Sequence, residues 1–170
     1  MRRVVRADSE AADVADISGT TQLVGLIGWP VAHSLSPRMQ NAAFAAAGLD
    51  WVYVPLPTPP ERVDEALRGI VALGFKGANV TTPHKLAAAR LSETEDELDS
   101  VNTLVVDHGR LLGSSTDPAI LSMLPAERPV VVGDGGSARA FRAALPGARS
   151  FSRRGDWPPD VARTLSLIHI

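Results

Sequence analysis

The chain has 170 residues and no cysteine, which excludes disulfides, thiolate nucleophiles and Cys-ligated zinc, and its length allows one domain plus part of a second. Seventeen basic residues against nineteen acidic ones leave a net charge of −2, without the basic excess that nucleic-acid and anionic-membrane binders carry. At 45% hydrophobic and 21% charged it can bury a core, and no apolar run approaches the roughly 18 residues that span a bilayer, so a soluble cytoplasmic protein is expected.

Residues 1–20 open with arginines, then turn acidic and polar without hydrophobic periodicity. They read as a flexible leader, not a secretory signal. QLVGLIG (22–28) is a short apolar run ending in glycine and predicts a buried strand. Ser36-Pro37 reads as an N-cap and first helical residue, opening an Ala-rich helix that Gly48 stops. WVYVPL is a second strand. After Pro59-Pro60, Val63, Ala66, Leu67, Ile70 and Val71 recur at helical spacing. GANV is a third strand, and Thr82-Pro83 begins a helix through HKLAAARL. This alternation predicts an α/β fold with mostly parallel strands.

NTLVVDHGRLLG breaks the alternation. Two apolar runs flank Asp107-His108-Gly109 and predict a β-hairpin, followed by a short helical stretch at PAILSML. Pro125 and Pro129 bracket a boundary, dividing the chain into a first domain over 21–125 and a partial second one over 126–170. The second restarts the pattern as strand, glycine turn, helix and strand.

In that turn, GDGGSA, Gly133, Gly135 and Ala138 fit the G-x-G-x-x-G/A fingerprint. The first two glycines allow a tight turn and close approach of backbone to a pyrophosphate at the helix N-terminus. A glycine turn joining strand to helix is also common as plain structure. The next strand ends about 20 residues on, where NAD-binding folds carry an acidic residue. Here Arg153 and Arg154 stand there, and guanidinium groups suit the 2′-phosphate of NADP. Asp134 opposes this unless its side chain turns away.

In the first domain, polar clusters fall at strand ends: Ser34 and Ser36, Asn79 through Lys85, Asn102 with Thr103, and Thr116-Asp117. Ligands of open α/β sheets bind beyond the carboxyl ends of the strands, and hydroxyls and amides without a dominant charge suit a polyhydroxylated small molecule. Ser36 and Thr82 also suit helix N-caps, and Asn102 a turn. Lys85 is less easily explained structurally. Of the seventeen basic residues only Lys76 and Lys85 are lysines, and a cation in a first helical turn gains nothing from the helix dipole. A lysine can shed its proton where arginine cannot, and an acidic partner such as Asp117 would hold it. His33 and His84 read as local hydrogen-bonders.

Taken in order, GLIGWPVAHSLSP, GFKGANVTTPHK, SVNTLVV, GRLLGSSTD and VVVGDGGSARA resemble the shikimate dehydrogenase family over residues 23–154. The resemblance implies a substrate-binding α/β domain followed by a Rossmann-like NADP domain, and NADP-dependent reversible reduction of 3-dehydroshikimate to shikimate in aromatic amino-acid biosynthesis. By motif, Ser34 and Ser36 would bind the shikimate carboxylate. Asn79, Thr81, Asn102 and Asp117 would bind its hydroxyls. Lys85 would be the acid-base group, paired with Asp117. Gly133, Gly135, Gly136, Ser137 and Ala138 would cradle the NADP pyrophosphate, with Ser152, Arg153 and Arg154 at the adenosine phosphate. The expected partner is thus a small-molecule substrate, with no nucleic acid, membrane or metal. The resemblance allows a homodimer, though the sequence does not fix the oligomeric state. A quinate/shikimate paralogue and an inactive binding module are the alternatives.

Two departures stand out. GSSTDP replaces the family's GxNTDG, with Ser115 for Asn and Pro118 for Gly. The family also continues beyond the point where this chain stops, which with the apolar tail TLSLIHI leads to the expectation of an interrupted reading frame.

Overall fold

The computed structural model describes residues 17–94, 97–121, 129–155 and, as backbone alone, 122–123 and 167–169. Most of the expected leader, residues 1–16, lies outside the described residues. From residue 18 the chain is tied down, with Thr20 and Thr21 hydroxyls both donating to the Asp50 carboxylate.

The first unit is a five-stranded sheet in the order β2-β1-β3-β4-β5. β1 (Gln22–Gly28) is flanked in parallel by β2 (Trp51–Pro57) and β3 (Gly77–Val80). β4 (Thr103–Asp107) and β5 (Arg110–Ser114) continue the sheet antiparallel as the expected hairpin. His108 and Gly109 both have positive φ, 47° and 79°, which matches the twist that a two-residue hairpin turn needs. Successive residues of β1 point to opposite faces. Ile27 enters one core with Val63, Leu67 and Ile70 of α2 (Val63–Ala72) and Ala87 and Ala88 of α3 (Lys85–Leu91). Leu26 enters the other, with Val31 and Tyr53. Ile27 is fully buried, so truncating it to alanine costs about 2–5 kcal/mol. β2 is an edge strand. Asn41 of α1 (Ser36–Ala46) stands in for a neighbouring strand there, its amide bonding the Tyr53 carbonyl at 2.9 Å and accepting from its N–H at 2.8 Å.

Both expected serine/threonine caps fail. α1 is capped at Leu35 and α3 at His84, in each case without a side-chain hydrogen bond. Ser36 is already helical, and its N–H donates to Ser34 Oγ at 3.2 Å. After Thr82 the chain first closes a turn, His84 N–H to Thr81 carbonyl at 3.0 Å, so the helix starts at Lys85.

The second unit is a parallel three-stranded sheet, β7-β6-β8, made of β6 (Val130–Val132), β7 (Arg149–Phe151) and β8 (Leu167–His169). Alternation again sorts the side chains. Val130 and Val132 pack with Phe151, while Val131 packs with Ala138 and Phe141 of α4 (Gly136–Ala144). The stretch at PAILSML is a 3₁₀ helix over Asp117–Met123. Its Leu121 packs on the α4 cluster and so ties the hairpin's exit to the second unit. Among the described residues no helix is long and apolar enough to cross a membrane.

Candidate active site

The carboxyl ends of β1 and β3 open onto a cavity of about 380 Å³ lined by Trp29, Val31, His33, Ser34, Ser36, Thr81 and Thr82. The Ser36 hydroxyl caps no helix, Ser34 Oγ accepts the Ser36 N–H at a long 3.2 Å, and Thr81 follows β3 directly. These are uncharged donors and acceptors with one exposed histidine, a lining suited to a small polar ligand.

Beside it the other polar clusters converge. Lys85 Nζ lies 2.6 Å from Asp117 Oδ2, with both side chains largely sequestered at 13% and 16% exposure. Asn102 Nδ2 donates to Asp117 Oδ1 at 2.6 Å. Asn102 Oδ1 in turn accepts from the Thr103 hydroxyl and the Thr116 N–H, so the amide's orientation is determined from both ends. Burial alone would raise the Asp117 carboxyl, but hydrogen bonds from Lys85, Ser137 and Asn102, with the ammonium charge, hold it below the usual carboxylate range. Asp117 is therefore an anion beside a cation.

Asn79, on β3, is oriented by a residue that sequence reading missed. The Tyr53 hydroxyl donates to Asn79 Oδ1 at 2.8 Å, and burial pushes that phenol up to about 12. His84 is buried and its Nε2 pairs with the Thr58 carbonyl at 2.7 Å, which anchors the turn immediately before Lys85. Ser115, where the family pattern has Asn, has a buried hydroxyl without a partner.

Strand β6 delivers the glycine turn to the same edge. Gly133 has φ 137°, a conformation that a side chain would strain. A Cβ at Gly135 would meet nothing within 4 Å, so the turn's outer face has room for a phosphate group. A Cβ at Gly136 would instead fall 2.6 Å from Lys85 Cβ and 2.9 Å from Ser100 Oγ. Ala138 fills the third fingerprint position, 1% exposed against the sheet. Asp134 reaches Arg142 at 3.4 Å, which partly offsets its charge near the turn. The register Val132↔Phe151 sets the turn after β7, residues Ser152–Gly155, next to the glycine turn, with Arg153 and Arg154 exposed. These residues fit a phosphorylated dinucleotide. The Ser137 hydroxyl accepts from Lys85 Nζ at 2.7 Å. Among the described residues no cluster of His, Asp and Glu could hold a metal ion.

Residues 26–104 match the shikimate dehydrogenase substrate binding domain. The NADP(+)-type shikimate dehydrogenase of Anaeromyxobacter sp. strain K is 51% identical over 140 residues, 76% of this chain and 50% of that protein. Residues 26–104 thus form a substrate binding domain of the shikimate dehydrogenase family. Among solved structures, the Aquifex aeolicus shikimate dehydrogenase superposes with a TM-score of 0.70 at 37% identity, covering 80% of this chain and 56% of that one. The Thermus thermophilus shikimate 5-dehydrogenase, solved with NADP(H) and shikimate, gives 0.65 at 30% identity, covering 78% and 56%. The chain thus spans about half the length of the curated shikimate dehydrogenases it matches.

Proposed function

We propose that this chain carries the substrate half and the start of the cofactor half of an NADP-dependent shikimate dehydrogenase. The observation that carries the reading is the state of Lys85 Nζ. Its three hydrogens face Asp117, Ser137 and one further direction, and among the described residues only the first two groups accept from it. One donor is left for a substrate oxygen.

When bound, NADPH supplies the hydride that reduces the ketone carbon of 3-dehydroshikimate. Lys85 would give a proton to the ketone oxygen as that oxygen becomes an alcohol, and Asp117 would hold the ammonium in line. In the reverse direction Lys85 takes the proton back. Asn79, Thr81 and Asn102 would engage the ring hydroxyls, and Ser34 and Ser36 the carboxylate, fixing the ring for transfer. The glycine turn and Arg153-Arg154 would hold the pyrophosphate and the 2′-phosphate.

The test is the appearance of reduced nicotinamide absorbance when purified chain meets shikimate and NADP, together with calorimetric titration of each ligand. Reduction that requires shikimate and disappears in Lys85→Ala is expected. A folded chain that binds neither ligand overturns the reading.

A further inference from the structure

The contact between Ser137 and Lys85 joins residues 52 positions apart and crosses from one sheet to the other, and a cradle for a dinucleotide does not require it. It depends on a close approach. α4 meets α3 at Gly136, where any side chain would overlap Lys85 Cβ at 2.6 Å. The far side of the same contact is Ser100, 1% exposed, whose neighbour Val101 donates its N–H to the Lys85 carbonyl at 3.0 Å. Glycine at 136 therefore lets the helix sit low enough for the next residue's hydroxyl to reach Nζ. A hydroxyl both accepts and donates. The Ser137 oxygen takes one Nζ hydrogen at 2.7 Å while Asp117 takes another at 2.6 Å, so the ammonium is held from two sides.

We propose that Ser137 is a positioning residue for Lys85, occupying one Nζ hydrogen so that another is presented to the substrate, and thereby linking the seating of the glycine turn to the acid–base lysine. The proposal rests on the reading of Lys85 as proton donor. Its consequence is a division of labour within one turn. Gly135 leaves its open face to a phosphate, while Ser137 faces inward to the lysine. A glycine turn that lifts away frees the ammonium, so proton delivery is tuned only when the cofactor side is docked.

The chain has only two lysines, which permits a direct test that does not depend on turnover. In protein labelled with ¹⁵N-lysine, Nζ–H₃ correlations report how fast each ammonium exchanges protons with water. Lys76 serves as the internal reference, and Lys85→Arg assigns the second signal. We expect Ser137→Ala to speed Lys85 exchange about tenfold, the factor for losing one net hydrogen bond of about 1.4 kcal/mol, with Lys76 unchanged. Ser137→Thr keeps the hydroxyl and should restore the protected signal. Where reduction of NADP is measurable, Ser137→Ala should lower kcat with KM little changed and shift its pH profile, and Thr should rescue both. Ser137-dependent protection in a chain without turnover still supports the coupling while counting against the dehydrogenase reading. Identical Lys85 exchange in native and Ser137→Ala protein overturns it, whatever the activity.

Discussion

The Tyr53 hydroxyl reaches across β1 to donate to Asn79 Oδ1 at 2.8 Å. That bond fixes the amide's orientation, with its Nδ2 donating to the Asn102 carbonyl at a long 3.4 Å. Tyr53→Phe leaves a part-buried acceptor without a donor, so unfolding free energy should fall by about 1–3 kcal/mol and shikimate affinity by about tenfold. Denaturant unfolding and calorimetric titration measure the two. Unchanged binding in the folded variant would remove Tyr53 from the site.

The same phenol gives a test against pH. Its folded pKa is raised by burial from 10.0 to about 12, so the folded protein keeps a proton that the unfolded chain loses. Tyr53's contribution is whole below pH 10.0 and is lost as pH climbs through about 12. It is the chain's single tyrosine, so phenolate absorbance reports it alone. Folded protein should titrate well above denatured protein, and Tyr53→Phe should lose less stability over the same interval.

Lys85→Ala removes both the proposed proton donor and the cation that holds Asp117. If the reaction assignment holds, turnover should fall by about 10²–10⁴-fold, with shikimate binding much less affected. Equal losses in both would sink the acid–base role. Stability gives a second readout. The Asp117 carboxyl is depressed below 3.8 in the native protein, so its contribution is present above that value and is lost as pH falls through the lower folded pKa. Without Lys85 the desolvation of Asp117 is less compensated. The native advantage over Lys85→Ala, measured by denaturant unfolding, should therefore shrink as the solution is acidified below 3.8.

Gly135 and Gly136 are adjacent and should respond oppositely. Alanine at 135 meets nothing within 4 Å and asks for an ordinary backbone, φ −81°, so Gly135→Ala should keep native stability while obstructing the phosphate's approach and weakening NADP. Alanine at 136 must displace Lys85 or lift α4, an overpacking cost of about 1–3 kcal/mol. Thermal unfolding beside NADP titration separates the two. Equal destabilisation by both variants would contradict the open face at Gly135.

What was legible in the sequence was local. Apolar runs marked β1, β2 and β3, the Asp107-His108-Gly109 turn marked the hairpin, and helical spacing marked α2, because each signal is confined to a few neighbouring residues. Lys85 stood out by rarity and Asp117 by motif, and the structure brings them to 2.6 Å. Tyr53 was invisible because its role depends on the strand order β2-β1-β3, which no local pattern encodes. The place of Ser137 in the fingerprint marks it for the phosphate cradle and says nothing of its contact with Lys85. Its inward turn follows from how closely α4 approaches α3 at Gly136, a tertiary distance. The N-caps assigned to Ser36 and Thr82 were displaced for a related reason, since tight turns precede both helices and carry the starts of α1 and α3 past the expected caps.

Arg153 and Arg154 make the cofactor assignment testable apart from the chemistry. They follow β7, whose last residue Phe151 pairs with Val132, one residue before the glycine turn. A phosphate on the adenosine ribose would lie within reach of guanidinium groups in that place, whereas a dinucleotide without it offers them nothing to grip. The exposed setting keeps the gain modest, because water and salt compete for the same charges. Arg153→Ala with Arg154→Ala should therefore weaken NADP by about tenfold and leave NAD nearly unchanged, and the native preference for NADP should decline with added salt. Titration of both cofactors against both proteins decides it. Parallel losses for NADP and NAD would mean that the arginines support the β7 turn and do not read the phosphate.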